Sequence, residues 1–245
     1  LWTGKDVYIS HDKLRITTLS VNDDMAVIEV CAQLKNIIGH GLEAECLIEI
    51  KKDGQKTASD TQRVVFRSEQ MQTVRVQIPI EHPKKWSPKQ PALYECHITT
   101  KFDDKICDEA VSNFGIRVLA LDPVRGLQIN GETVKLRGTC IHHDNGVIGA
   151  ETFKEAEWYR CKRLKEAGFN AIRSAHHPMS RAMLDACDHI GMLVMDELTD
   201  MWDKEKNTYD FSDIFEDSRQ LGRSLRPCQR PLPGRCQQTF AQISR

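Results

Sequence analysis

The sequence lacks the features of a membrane protein or a nucleic-acid-binding protein. No apolar run approaches the roughly 18 residues that a membrane-spanning helix needs. The 34 lysines and arginines are balanced by 35 aspartates and glutamates, so the net charge is −1 and there is no basic excess to attract phosphates. With 40% hydrophobic and 28% charged residues, the composition is typical of a globular protein. We therefore expect no nucleic acid and no membrane among its partners.

Closely spaced cysteine pairs are missing as well. The nine cysteines are scattered and none forms a CxxC pair, which argues against a zinc knuckle. Their odd number argues against a complete disulfide framework. The opening stretch "LWTGKDVYIS" does not have the charged and then apolar layout of a signal peptide, so the sequence leaves the compartment open.

Alternating apolar and polar residues dominate the first half of the chain. Turn residues such as "VNDD" and "KKDGQ" separate the alternating runs. The runs are "KLRITTLS" (13–20), "MAVIEVCAQL" (25–34), "AECLIEI" (44–50), "TQRVVF" (61–66), "QTVRVQIPI" (72–80), "LYECHITTK" (93–101) and "SNFGIR" (112–117). About seven short strands at this spacing predict an immunoglobulin-like β-sandwich over residues 12–117.

The hydrophobic period changes after residue 118. A hairpin around Asn130-Gly131 is followed by the strand "VKLRGTCI" and then by two helix–strand pairs. We predict that Thr152 and Glu155 form a capping box for the first helix and that Ser180 caps the second. The strands "NAIRSA" (170–175) and "MLVMDE" (192–197) are apolar enough to be buried. Strands alternating with helices predict a parallel sheet covered by helices, that is, an α/β domain.

Residues 218–245 have a different composition. This segment holds six arginines, five glutamines, three prolines and no acidic residue, without a helical or strand period. We interpret it as an atypical tail, either disordered or frameshifted.

Three polar clusters follow the three strands of the α/β domain. They are "HHD" (142–144), "RSAHHP" (173–178) and "DELTDMWD" (196–203). Because ligands of parallel α/β folds bind at the carboxyl ends of the strands, the clusters predict one polar pocket. Histidine and carboxylate side chains suit sugar hydroxyls, and Trp202 could stack on a sugar ring or simply pack.

Two alternatives qualify this pocket. The histidines could bind a metal, but neighbours on a strand point to opposite faces, so each His-His pair offers about one ligand. Asp196 and Glu197 cannot both face one substrate for the same reason. Either both are structural charges at the strand end, or one of them faces the site and the other braces a helix, because the two carboxyls of a retaining glycosidase come from different strands.

Two long stretches resemble a known family. "LQINGETVKLRGTCIHHDNGVIGA" and "LKEAGFNAIRSAHHPMSRAMLDACDHIGMLVMDE" resemble the start of the catalytic barrel of glycoside hydrolase family 2, which includes β-galactosidases, β-glucuronidases and β-mannosidases. "WSPKQPALYEC" and "FGIR" are similar to the end of its immunoglobulin-like domain. "LWTGKDVYIS" is similar to the exit of its N-terminal jelly-roll domain.

The resemblance implies a domain order. Residues 1–11 would leave an absent jelly-roll domain, 12–117 would form the sandwich, and 118–217 would form about three units of a (β/α)8 TIM barrel, before the 218–245 tail. The fold class is therefore mixed, with an all-β sandwich followed by the first part of an α/β barrel. The implied reaction is retaining hydrolysis of terminal β-glycosides, with no cofactor.

The resemblance also assigns roles to individual residues. Asp144 and His176 would bind sugar hydroxyls, with His143 and Trp202 as further substrate contacts. Arg173 would support the nucleophile with help from Glu197, unless it forms a structural ion pair instead. Ala175 and His177 replace a serine and a tyrosine of the family motif, so we expect His177 to point away from the substrate.

The departures from the family matter for activity. No Asn-Glu dipeptide follows residue 197, so we expect the acid/base and nucleophile glutamates outside this chain and the isolated chain to be inactive. We favour β-galactosides as the substrates of the intact protein, with β-glucuronides and β-mannosides as alternatives. A different class, a non-catalytic carbohydrate-binding or assembly module, also remains. The partner is a carbohydrate, and the intact protein is expected to be a homo-oligomer.

Overall fold

The computed structural model describes residues 6–67 and 70–197. They belong to two compact units that meet in sequence between Val134 and Lys135. The domain boundary placed at residues 117 and 118 stays a prediction. Trp202 and the 218–245 tail lie outside the described residues. No helix in the described part of the chain is long and apolar enough to cross a membrane.

Two antiparallel sheets make up most of the first unit. In one sheet β3 (Met25–Asn36) pairs with β6 (Met71–Glu81) on one edge, and with β1 (Val7–Ile9) and β2 (Arg15–Val21) on the other. The second sheet has the order β5 (Gln55–Phe66), β4 (Leu42–Lys52), β7 (Tyr94–Phe102) and β8 (Lys105–Phe114). The predicted immunoglobulin-like sandwich is confirmed.

Strict alternation builds the core of the sandwich. In β3 every second residue from Ala26 to Leu34 is buried, and β6 buries Val74, Val76, Ile78 and Ile80 in the same way. All seven predicted strands exist, but the last one spans 105–114 and not 112–117. Its pairing with β7 is set by a two-residue turn at Asp103 and Asp104, both with positive φ, which the sequence did not reveal as a hairpin.

Trp86 anchors the end of the sandwich. The Trp86 side chain is 1% exposed. The backbone N–H of Trp86 donates a hydrogen bond to the Ile116 carbonyl oxygen at 2.8 Å. The Arg117 guanidinium lies over the indole ring at 4.3 Å from the centroid. A Cβ at Gly115 would come within 2.7 Å of the Trp86 Cβ, so only glycine fits there. Tyr94 is 3% exposed, so neither aromatic offers a platform for a sugar, in agreement with their interpretation as packing residues.

A small antiparallel sheet completes the first unit. It is formed by β9 (Leu119–Asp122), β10 (Gly126–Ile129) and β11 (Glu132–Thr133). Asn130 and Gly131 connect the last two strands with φ of 53° and 84°. Positive φ at both central positions is the geometry of a type I′ turn, so the predicted hairpin is confirmed.

The second unit is a parallel sheet with two helices. The strands β12 (Gly138–Ile141), β13 (Ala171–Ser174) and β14 (Leu193–Met195) lie side by side in chain order. The helices α1 (Lys154–Glu166) and α2 (Arg181–Ile190) connect them. The predicted α/β segment, the start of a TIM barrel, is therefore confirmed.

The helix ends follow the sequence in all but one case. The Ser180 Oγ accepts from the Met183 N–H at 3.2 Å, and Gly191 ends α2 with φ of 81°. The predicted capping box of Thr152 and Glu155 is wrong. The helix α1 begins one residue later, so that Phe153, which has no side-chain acceptor, occupies the cap position.

The two faces of the parallel sheet differ in burial. On one face Ile172 packs with Cys161 of α1 and Met183 of α2 in a small core. On the other face Cys140, Arg173 and Met195 stand in register, and all three are exposed. Among the described residues, the predicted burial of these strands is thus found mainly on the face that both helices contact.

The strands β12 and β13 approach closely at their start. A Cβ at Gly138 would lie 3.0 Å from the Ala171 carbonyl oxygen and 3.3 Å from its Cβ. A side chain at this position would therefore push the strands apart, and glycine fixes their separation.

Candidate functional site

The parallel strands bring the predicted polar clusters to one edge of the sheet. Residues 142–144 follow β12, residues 175–180 link β13 to α2, and Asp196 and Glu197 follow β14. Direct contacts join the second cluster to each of the others. Of the predicted site residues, Asp144, His143, His176, Arg173 and Glu197 are described in this unit.

The four histidines form two pairs across the strands. The ring centroids of His142 and His176 lie 5.6 Å apart, and the rings of His143 and His177 stack at 4.5 Å. The four residues follow the strands, and their ring pairing is offset by one residue from the strand register, in which Ile141 lies opposite Ser174. His176 and His177 thus have different neighbours, in line with the expected asymmetry. His142 was missed as a site residue, although its position next to His143 could have placed it on the side of His176.

The ring of His143 contacts the protein itself. Its Nε2 accepts from the Ser180 N–H at 3.1 Å, so the ring in this state is neutral and carries its proton on Nδ1. Burial lowers the pKa of His143, and the neighbouring His177 lowers it further. The sugar contact expected for His143 remains a prediction.

Asp196 and Glu197 contact different partners. The Asp196 Oδ1 accepts from the Met179 N–H at 2.8 Å, just before α2 begins. Burial raises the pKa of Asp196, against hydrogen bonds from Met179 and Ser174 that lower it. Glu197 instead accepts a hydrogen bond from the Arg173 Nε. Asp196 therefore holds the backbone just before α2, and Glu197 pairs with the guanidinium of Arg173.

Arg173 lies on the open face of the sheet. Besides Glu197 it contacts Cys140, whose Sγ is 3.5 Å from the Arg173 Nη1. The hydrogen bond with Glu197 raises the pKa of the guanidinium further, with the Cys140 contact as the next cause. The Arg173 side chain is 44% exposed and pairs with Glu197, and both the support of a nucleophile and the structural ion pair stay predictions.

Asp144 is exposed, but the backbone around it is held firmly. Arg160 of α1 donates to the carbonyl oxygens of His142 and Asp144 at 3.0 and 2.8 Å. Arg160 is in turn paired with Glu157, a fully buried carboxylate 3.6 Å away. Asn145 joins this network through a hydrogen bond from its Nδ2 to Glu157 Oε1 at 3.0 Å. Spacing of three along a helix predicts the Arg160–Glu157 pair, but no local pattern predicts the link from Arg160 to the loop.

The site consists of groups that bind polar ligands. Histidine rings offer both a donor and an acceptor, and Asp144 offers a charged acceptor, which together suit hydroxyl groups. Among the described residues no cluster of three or more His, Cys, Asp or Glu side chains could hold a metal ion. The carboxylates of Asp196 and Glu197 are engaged by Met179 and Arg173. The geometry thus favours recognition and charge stabilisation over acid/base chemistry.

The chain matches two models of one protein family. Residues 7–117 match the model "Glycosyl hydrolases family 2", and residues 124–213 match "Glycosyl hydrolases family 2, TIM barrel domain". The two matches are consecutive and cover the sandwich and the parallel sheet in turn.

Individual relatives agree with these matches. The chain is 31% identical to β-galactosidase BoGH2A of Bacteroides ovatus over 83% of its own length and 22% of that protein. It is 32% identical to a putative β-glucuronidase of Formosa agariphila, over 78% of the chain and 18% of the relative. A family 2 glycosyl hydrolase structure from Bacteroides cellulosilyticus superposes with a TM-score of 0.82 at 34% identity, covering 88% of this chain and 28% of that one. The chain spans about a fifth of the length of these curated relatives.

Proposed function

Because the chain belongs to glycoside hydrolase family 2, we propose that its second unit forms one wall of a pocket for the terminal sugar of a β-glycoside. The intact protein then hydrolyses that glycosidic bond with retention. The observation that carries the proposal is the meeting of His142 and His176 near Asp144 at the carboxyl ends of parallel strands.

The side chains differ in what they contribute. Asp144 accepts hydrogen bonds from sugar hydroxyls, and its charge strengthens them. His176 can donate to one hydroxyl and accept from another, and His142 beside it adds a second ring of the same kind. From the sequence, further contacts are expected from His143 and from Trp202, the latter through its ring face.

Arg173 acts electrostatically and not as a ligand for hydroxyls. It stands on the sheet face opposite α1 and α2, which is the face a closed barrel encloses. A guanidinium has five donors, so it can serve Glu197 and a second carboxylate at the same time. Such bonds keep a nucleophilic carboxylate ionised, which is the support that we assign to Arg173.

This chain's share of the reaction is binding and not cleavage. No Asn-Glu dipeptide follows residue 197, and the two catalytic glutamates of a retaining enzyme come from strands other than these three. We favour β-galactosides as substrates. Relatives carry the names β-galactosidase and β-glucuronidase, so the sugar is the first property to test.

The test is a titration followed by ¹H–¹⁵N correlation spectra of the 245-residue chain. Methyl β-galactoside, methyl β-glucuronide and methyl β-mannoside are added separately, because one wall of a pocket binds weakly and the method detects millimolar affinity. We expect shifts at Asp144 and His176 with the galactoside, and their loss in Asp144→Asn and His176→Gln. Val124→Ala, an exposed position in the first unit, is the matched control.

Two outcomes contradict the proposal. Shifts confined to the sandwich would support a carbohydrate-binding module in place of a catalytic pocket. Hydrolysis of an aryl β-galactoside by the chain, above the level of its Asp144→Ala variant, would refute the assignment of both glutamates to residues outside it.

A further inference from the structure

The loop that carries His176 is held by the strands on both sides of it. The Ser180 N–H donates to His143 Nε2 at 3.1 Å, and His143 follows β12. The Met179 N–H donates to Asp196 Oδ1 at 2.8 Å, and Asp196 follows β14. Two consecutive backbone donors of the central loop thus meet one acceptor from each flanking strand. We name His143, Asp196 and these two N–H groups the loop clamp.

We propose that His143 and Asp196 are positioning residues, which fix the loop over residues 175–180 and thereby the direction in which His176 faces the ligand. This inference rests on the proposed sugar-binding role of His176. It gives His143 a role through the loop, in place of the direct sugar contact expected from its place in the sequence.

Position in the chain explains why the clamp matters. Met179 and Ser180 precede α2, so their N–H groups have no acceptor within the helix. Met179 is buried, and an unpaired buried N–H is costly, so the two acceptors decide whether this loop conformation is stable. Both acceptors are side chains of residues that follow other strands. The conformation of the loop therefore depends on how β12 and β14 end at this edge of the sheet.

Further contacts transmit the clamp to His176. His177 stacks on the His143 ring at 4.5 Å, and its carbonyl accepts a hydrogen bond from the Ser174 Oγ. The residue directly after His176 is thus fixed at both its ring and its carbonyl. The His176 ring is left on the side of His142, at 5.6 Å between centroids.

The clamp works in one protonation state. Nε2 of His143 accepts a hydrogen bond only while the ring is neutral, and Asp196 accepts most strongly while it is ionised. His177 and Arg160 near His143 oppose a positive charge on its ring, whereas Glu157 and Asp196 favour one. Protonation of His143 removes the acceptor for the Ser180 N–H, so the loop should loosen as the pH falls.

The experiment measures amide hydrogen exchange in the full 245-residue chain without ligand. The variants are His143→Ala, which removes the acceptor, and His143→Gln, whose amide oxygen can replace it without titrating. We expect the Ser180 amide to exchange roughly tenfold faster in His143→Ala and to regain most of its protection in His143→Gln. Asp196→Ala should speed the exchange of the Met179 amide in the same way. Asp196→Asn, which keeps an oxygen acceptor, should restore most of its protection. His189→Gln, at an exposed site on α2, is the control.

A second measurement separates positioning from direct contact. Titration with methyl β-galactoside should show a several-fold weaker dissociation constant in His143→Ala and recovery in His143→Gln. The wild-type chain should lose Ser180 protection as the pH falls through the pKa of His143, followed by its ring resonance, and His143→Gln should not.

Three results overturn the inference. One is unchanged Ser180 protection in His143→Ala. Another is protection restored in His143→Gln without recovery of affinity, which would indicate direct contact with the sugar. The third is an unchanged His176 ring resonance in His143→Ala and Asp196→Ala. If the wild-type chain binds none of the three glycosides, the proposed function fails, and the clamp is then judged on the exchange and resonance data alone.

Discussion

The sandwich and the parallel sheet bury their apolar side chains in different ways. The sandwich encloses a core of 27 buried residues drawn from both of its sheets, so each sheet covers the inner face of the other. Among the described residues of the α/β unit, seven form a buried core on the helix side. On its other face Cys140, Arg173 and Met195 are exposed.

This difference separates scaffold from site. A region that completes its own core has little reason to leave charged groups on an inner face. The α/β unit does leave Arg173 on such a face, together with the paired histidines at the strand ends. Since a TIM barrel needs eight strands, the open face is where the remaining strands of such a barrel would lie. Stability is thus concentrated in one region and chemistry in the other.

Thiol reactivity gives the largest contrast between the two regions. Burial raises the pKa of both Cys46 and Cys96, in the sandwich core, to about 12. Near pH 8 their thiolate fraction is about a thousandfold below that of an ordinary thiol, and burial slows them further. We expect a soluble alkylating agent to modify the exposed Cys140 before Cys46 and Cys96, with site-resolved rates measured by mass spectrometry. Comparable alkylation rates at Cys140 and Cys46 in the folded chain would contradict this contrast between the two regions.

Removal of the Trp86 side chain should damage only the sandwich. Trp86→Ala deletes a fully buried indole and leaves a cavity beneath Arg117, so we expect a loss of about 3–5 kcal/mol in the unfolding free energy of that unit. Denaturant titration followed by amide exchange in both units measures it. Val124→Ala, at a 93% exposed position, should change the same quantity by less than about 0.5 kcal/mol.

The cap of α2 tests the second region in the same way. Ser180→Ala removes the acceptor for the Met183 N–H, and loss of such a cap costs about 1 kcal/mol. Faster amide exchange along α2 would report it, and Ser180→Asp, which keeps an acceptor, should restore most of the protection. An equal effect on the exchange of β3 in the sandwich would show that the two units do not unfold independently.

We expect acid to lower the unfolding free energy of the α/β unit through protonation of His143. The folded-state pKa of His143 lies below its ordinary value of 6.5, so the unfolded chain binds the proton more readily between the two values. Its contribution to stability is present above pH 6.5 and is lost as the pH falls through the folded-state pKa. Asp196 acts in the opposite direction at lower pH. The folded-state pKa of Asp196 is raised above 3.8, so protonation favours the folded unit there.

Unfolding curves between pH 7 and pH 4 separate these two effects. His143→Gln should remove the fall in unfolding free energy that begins below pH 6.5. Asp196→Asn should remove the opposing gain in unfolding free energy at lower pH. A wild-type unit whose stability does not fall below pH 6.5, or a His143→Gln unit that falls as the wild type does, would contradict the assignment.

Local patterns in the sequence predicted most of the fold. Alternation over residues 25–34 and 72–80 was sufficient to place two neighbouring strands, because one face of each is buried without interruption. The three-residue strand β1 was missed since it is too short to show a period. The start of α1 was misplaced because Thr152 and Glu155 have the spacing of a capping box, whereas the backbone turns into the helix one residue later.

The sequence placed the polar clusters at one edge of the sheet but did not predict their contacts. Strand ends located the clusters that contain His176, Arg173 and Glu197, the family resemblance implied the roles of individual residues, and those roles stay predictions. The bond between Ser180 and His143 joins residues 37 apart in the chain, and local spacing carries no information on such a pair. The link from Arg160 to the carbonyls of His142 and Asp144 was hidden for the same reason.

The close approach of Gly138 to Ala171 has a consequence for protein engineering. This glycine allows β12 to lie close to β13, in the register that places Cys140 beside Arg173. Beyond the strand ends the ring of His142 lies beside His176, and that of His143 beside His177. A slip of β12 by one residue would turn its side chains to the opposite face and separate these ring pairs. Libraries that alter substrate preference should therefore vary His142 with His176, and His143 with His177, as linked pairs, and should leave Gly138 unchanged.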